Sequence, residues 1–84
     1  MTDLKLRGKY LFVDAMDNKL YPINENSIIG ISGNEKDGYY LSLSYINSYL
    51  DVAISKKMEY YEGAILELET FKSVLTNVYD IQII

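Results

Sequence analysis

The side chains that could do chemistry in this 84-residue chain are carboxylates, amines and phenols, because it contains no histidine and no cysteine. That removes Ser-His-Asp and Cys-His nucleophiles, the usual zinc donors and imidazole proton transfer. A Ser-x-x-Lys dyad is missing as well, since Met16, Gly33, Ala53, Ile54 and Glu69 stand three positions before Lys19, Lys36, Lys56, Lys57 and Lys72. Carboxylate pairs of the glycosidase kind remain as a general acid–base option, but they work in a long cleft that so short a chain can scarcely build. No catalytic residue, metal ligand set or cofactor is therefore assigned, and a carboxylate-based enzyme ranks third among the readings.

Two loops copy the outline of a binding motif without its chemistry. Gly33-Asn-Glu-Lys-Asp-Gly38 has the first positions of a phosphate loop, yet Tyr39 and Tyr40 occupy the places of the essential Lys and Ser/Thr. Glu35 and Asp37 would repel phosphate, so the segment reads as a hairpin loop. Gly30-Ile-Ser-Gly33 has the Gly-x-x-Gly spacing of a nucleic-acid clamp but lacks basic flanks. Asp14, Asp17 and Asn18 offer oxygens to a hard cation, although the alternating ligands, Gly and distal Glu of a calcium loop are absent. An Asx turn is the expectation there.

The tyrosines and the charges carry more. Nine tyrosines occur, and Tyr supplies large, stiff, amphipathic contact area of the kind found in interface cores. In a strand, one ring of each pair, Tyr39-Tyr40 and Tyr60-Tyr61, would point away from the core. Alternation makes Tyr40 the outward member of its pair. Tyr40, Tyr60 and Tyr61, with Glu59 and Glu62, are the expected partner-binding residues. Glu59, Glu62, Glu67, Glu69 and Asp80 leave the C-terminal third acidic, with Lys72 the opposing charge. Lys5, Arg7 and Lys9 share one face of an alternating segment and form a possible anion-binding set.

These residues must be positioned by short elements. Leu4, Leu6, Gly8 and Tyr10 alternate with Lys5, Arg7 and Lys9, which predicts a strand over roughly 4–14. A turn at 14–18 leads into a strand over 19–23, where Pro22 marks an edge. Ile28, Ile29 and Ile31 suggest a third strand. Tyr39, Leu41, Leu43 and Tyr45 against Tyr40, Ser42 and Ser44 give the clearest one. Leu50, Val52 and Ile54 favour a strand near 49–55, although Ile46, Tyr49, Leu50, Ala53 and Ile54 also fit a helical face capped by Gly63. Leu68, Phe71, Leu75 and Val78 predict a helix over about 69–78. Tyr79, Ile81 and Ile83 predict a terminal strand.

The expected architecture is therefore α+β: a small antiparallel sheet begun by an N-terminal meander, one C-terminal helix and a terminal strand, in a single domain over 1–84. Net charge is −4 with a pI near 4.6, which disfavours a phosphate-tracking nucleic-acid binder. Absence of cysteine argues against a disulfide-stapled secreted scaffold, and the sequence from Met1 carries no apolar run of signal-peptide length. Cytoplasmic localisation without membrane contact is expected. A core this small without staples favours a homo-oligomer. The resulting functional expectation is a small acidic noncatalytic protein docking a protein partner through a Tyr-rich sheet face, as inhibitors or accessory proteins of phages and mobile elements do. The alternative is an oligomeric small-ligand binder, nucleotide-like in its ligand, with tyrosines stacking on a base and Lys5, Arg7 or Lys9 holding phosphates.

Overall fold

The turns decide the architecture, and the first falls inside the alternating segment over 4–14. A computed structural model describes residues 3–82. In it the expected strand over 4–14 is split into β1 (Asp3–Arg7) and β2 (Tyr10–Asp14), joined by a two-residue turn at Gly8 and Lys9. Gly8 has φ +62°, a left-handed value that glycine adopts without a side-chain penalty. The physical signal is a change of parity. Leu4 and Leu6 pair with Val13 and Leu11, so the apolar set moves from even to odd positions across the turn, and Tyr10 joins Arg7 on the opposite face.

β3 (Leu20–Ile23) completes the first antiparallel sheet in the order β1-β2-β3, so Pro22 does sit on an edge strand. The turn between β2 and β3 is held by Asp17, whose Oδ1 accepts the Lys19 N–H at 3.0 Å, the Asx geometry expected of this segment.

β4 (Ser27–Asn34), β5 (Gly38–Tyr45) and β6 (Asp51–Ala53) form a second sheet in that order, also antiparallel. The ambiguous segment near residue 50 is thus a strand. Register explains why: Leu43 pairs with Val52, and the Ile54 N–H reaches the Leu41 carbonyl at 2.9 Å, so main-chain pairing wins over the helical alternative. The β4–β5 loop is the hairpin anticipated, with Gly33 at φ +100° and Gly38 at φ +97°. Only glycine fits at 33, because a Cβ there would meet the Gly38 carbonyl oxygen at 2.1 Å.

The helix α1 (Tyr61–Tyr79) starts eight residues earlier than the expected 69, and Gly63 lies in its first turn instead of capping an earlier helix. Ala64, Phe71 and Leu75 are its buried positions, Leu68 and Tyr79 pack beside them, and Val78 is 67% exposed. Tyr79, one residue on, takes the place that the sequence stripe gave to Val78. The helix ends at Asp80 in left-handed geometry (φ 55°), and the N–H groups of Asp80 and Ile81 both turn back to the Leu75 carbonyl. Beyond it the expected alternation persists as burial: Tyr79 and Ile81 pack on the core while Asp80 and Gln82 are exposed. Residues 83 and 84 of that terminal segment lie outside the described residues.

Fold class is thus α+β, with the strands divided between two three-stranded meanders rather than one sheet. Leu11, Val13 and Ile23 from the first sheet share one hydrophobic cluster with Ile29, Leu41, Leu43 and Ile54 from the second and Phe71 and Leu75 from the helix. Burying each such side chain contributes roughly 1.5–3 kcal/mol. The sheets are also tied by main chain, the Met16 N–H donating to the Ala53 carbonyl at 2.9 Å.

Candidate functional site

Strand alternation separates the Tyr39-Tyr40 pair, as expected. Tyr39, Leu41 and Leu43 point to the core side of the second sheet, and Leu41 and Leu43 are fully buried. Tyr40 lies on the other face with Ser42 and Ser44, where it lines a shallow hollow with Met16, Ala53 and Lys56. The middle of that outer face has small side chains, where Gly30 pairs with Ser42 and the hydroxyls of Ser32 and Ser42 hydrogen bond at 2.8 Å, flanked by Tyr40 opposite Ser32 and by Ile28 opposite Ser44. Tyr40 is only part-exposed.

The second tyrosine pair falls elsewhere. An isolated bridge joins Tyr39 to Met58, each N–H donating to the other's carbonyl, and this pins the chain just before α1. Tyr60 is the residue preceding the helix, with extended backbone, and Tyr61 opens it. The ring of Tyr61 meets that of Tyr39 edge-on, centroids 5.3 Å apart and planes at 76°. Tyr60 is 66% exposed and Tyr61 48%. Glu62 lies in the first helical turn, where a carboxylate complements the helix dipole, and both Glu59 and Glu62 are exposed.

Four of the five expected partner-binding residues, Glu59, Tyr60, Tyr61 and Glu62, therefore gather at the start of α1, and Tyr40 is on a different face of the second sheet. The structure adds residues that sequence reasoning treated as bland loop. Glu35, Lys36 and Asp37, from the β4–β5 hairpin, line a hollow with Lys57, Met58 and Glu59. Charged groups from two distant stretches of chain, three carboxylates and two amines, thus share one hollow, and Glu59 leads from it into the exposed Tyr60 and Tyr61. Nothing local in the sequence marks this, because the Tyr39–Met58 bridge that brings the stretches together is a long-range contact.

The basic set is dispersed. Lys5 and Arg7 lie on β1, but Lys9 is in the turn and its ammonium sits 5.8 Å from the Tyr10 ring centroid. Lys5 is drawn to Asp14 on its own sheet, Nζ to Oδ2 3.5 Å. The face shared by three cations, as expected from a continuous strand, is therefore absent: the turn at Gly8 and Lys9 breaks it.

Among the described residues no cluster of His, Cys, Asp and Glu could hold a metal ion, and no helix is long and apolar enough to cross a membrane. Asp17, considered above for cation binding, instead spends its second oxygen on the Tyr21 hydroxyl. That hydrogen bond holds the Asp17 carboxyl below the ordinary aspartate range and pushes the Tyr21 phenol up. Burial pushes the Tyr45 phenol up too, and its hydroxyl donates to the Pro22 carbonyl, so Tyr21 and Tyr45 are structural rings between the two sheets.

Comparison of the chain with models of known protein families, with curated proteins and with solved structures gives no match.

Proposed function

We propose that the protein is a small noncatalytic binding module that docks a basic protein surface at the acidic, tyrosine-bearing end of the second sheet, in the reducing environment its cysteine-free sequence suits. The observation that carries this reading is the convergence of Glu35, Asp37 and Glu59 on one hollow that leads directly into the exposed Tyr60, Tyr61 and Glu62; against these four carboxylates stand two amines, Lys36 and Lys57, so the patch stays net negative. Carboxylates accept paired hydrogen bonds from guanidinium groups, and tyrosine faces attract cations, so an arginine-bearing surface is the chemistry the patch complements. Tyr60 supplies an aromatic anchor whose removal does not disturb the core. Occlusion of a larger partner, as an inhibitor or accessory protein acts, requires only such a surface.

A titration of the isotope-labelled protein with an arginine-rich peptide, followed by amide shift changes, tests the reading. The expected response is confined to residues 35–38 and 58–62, weakens as salt is raised and is lost in Glu59→Lys/Glu62→Lys. Shifts centred on β1 or the outer face of the second sheet, or no salt-dependent response, refute it.

A further inference from the structure

We propose that two copies of the chain join antiparallel through β1, about a two-fold axis at Lys5, so that the two first sheets become one continuous six-stranded sheet. The inference is independent of the partner reading above, which uses residues of the second sheet's hairpin and the start of α1.

Its starting point is the main chain. In a hairpin closed by a two-residue turn, the residues flanking the turn exchange both hydrogen bonds, and alternate pairs along the ladder then do the same. Arg7 and Tyr10 flank the turn, so Arg7, Lys5 and Asp3 bond to β2, while the N–H and C=O groups of Leu4 and Leu6 point away from it. β1 pairs with no other strand among the described residues. The other edge of this sheet carries Pro22, a common device against edge pairing, whereas β1 has neither a proline nor a bulge in its five-residue register, and its lysine, Lys5, is drawn back to Asp14 on its own sheet.

The side chains on this edge are self-complementary. Leu6 faces the core side of its sheet yet is 61% exposed, so the described residues leave it largely uncovered. Leu4 lines a groove between β1 and α1 with Phe71, Thr70 and Val74. Antiparallel pairing centred on Lys5 sets Leu6 of the second copy directly opposite Leu4, where it covers that groove, and the two-fold repeats the contact. The same register sets Asp3 opposite Arg7 of the second copy, at both ends. Lys5 meets its counterpart at the centre on the outer face, each amine drawn aside by its own Asp14. Pairing centred on Leu6 would instead set Lys5 against Arg7 twice, a like-charge clash, and pairing centred on Leu4 would carry Leu6 past the end of the described strand. The Lys5 register is the one that covers Leu6 and pairs the end charges.

Sedimentation of the full chain and oxidation of single-cysteine variants test the proposal, since the natural chain has no thiol. The protein is expected to sediment at twice its 9.7 kDa mass at high concentration. Lys5→Cys should form a disulfide-linked dimer readily, because residues opposite each other in a non-hydrogen-bonded pair have close Cβ atoms. Glu35→Cys, on the distant hairpin loop, should not. Leu6→Lys, at an exposed position, should keep the monomer's circular dichroism while weakening association at least about tenfold, the equivalent of one buried leucine. Asp3→Arg and Arg7→Asp should each weaken the dimer and together restore it, a rescue that a folding defect does not produce. A monomer at every concentration overturns the proposal. A dimer that survives Leu6→Lys, or one that crosslinks through Glu35→Cys and not Lys5→Cys, overturns it equally.

Discussion

Tyr39 and Tyr61, one on β5 and the other opening α1, meet edge to face with ring centroids 5.3 Å apart. This contact, together with the Tyr39–Met58 bridge, fixes where the helix begins and therefore where its exposed neighbours Tyr60 and Glu62 stand. Edge-to-face pairs contribute about 0.5–1.5 kcal/mol beyond the area they bury. Tyr61→Ala is expected to lower stability by about 1–2 kcal/mol, a drop of several degrees in melting temperature for a domain of this size. Tyr60→Ala, which removes an exposed ring outside the pair, should stay within about 0.5 kcal/mol of the natural protein. Urea unfolding of the two variants distinguishes the structural ring from the docking ring, and equal losses would refute the distinction.

Ser55 is a buried polar residue with a definite task. Its hydroxyl oxygen accepts the Leu41 N–H at 2.8 Å, just where β6 has ended and no strand is left to take that donor, while its proton goes to the Lys56 carbonyl. Ser55→Ala leaves the buried amide without a partner and is expected to cost about 1–3 kcal/mol. Hydrogen exchange at the Leu41 amide should accelerate in the variant beyond the change in global stability. Unchanged exchange there would show that another acceptor serves.

The Asp17–Tyr21 hydrogen bond predicts a pH response at both ends of the scale. Asp17 has a folded-state pKa below its unfolded value, so its contribution is complete above the ordinary aspartate range near ~3.9 and is lost as pH falls through the lowered value. Tyr21 has a raised pKa, so its contribution is complete below ~10 and is lost as pH rises through the raised value. Tyr21→Phe removes both effects. The stability difference between the natural protein and this variant should be constant near neutrality and shrink in strong acid and strong alkali. A difference that does not vary with pH contradicts the assignment.

Asp80 caps the helix with a side chain ill suited to the position. It holds a left-handed conformation, φ 55°, and places a negative charge at the negative end of the helix dipole. Asp80→Gly, which removes the charge and suits the left-handed backbone, is expected to stabilise the protein by about 0.3–1 kcal/mol. Melting measured by circular dichroism checks the sign. Asp80→Ala, which keeps the backbone penalty but loses the charge, should gain less than the glycine variant.

Much of the strand content was legible because it depends on neighbours in sequence. The alternation of Tyr39, Leu41 and Leu43 specified β5 and its buried face, and Pro22 marked an edge. The spacing of Leu68, Phe71 and Leu75 specified the middle of α1, since both periods follow from local backbone geometry. What tertiary structure decided is of another kind. A period-2 pattern cannot by itself reveal a two-residue turn, so the boundary between β1 and β2 is set by the pairing of Leu6 with Leu11, where the apolar set changes parity. Whether residues near 50 join a sheet or a helix depended on the open edge of β5, which no local window contains. The helix reached back to Tyr61 because Tyr39 and Met58 hold its entrance. For the same reason the candidate site mixes what sequence could name, Glu59, Tyr60, Tyr61 and Glu62, with Glu35 and Asp37, which only the folded chain brings beside them.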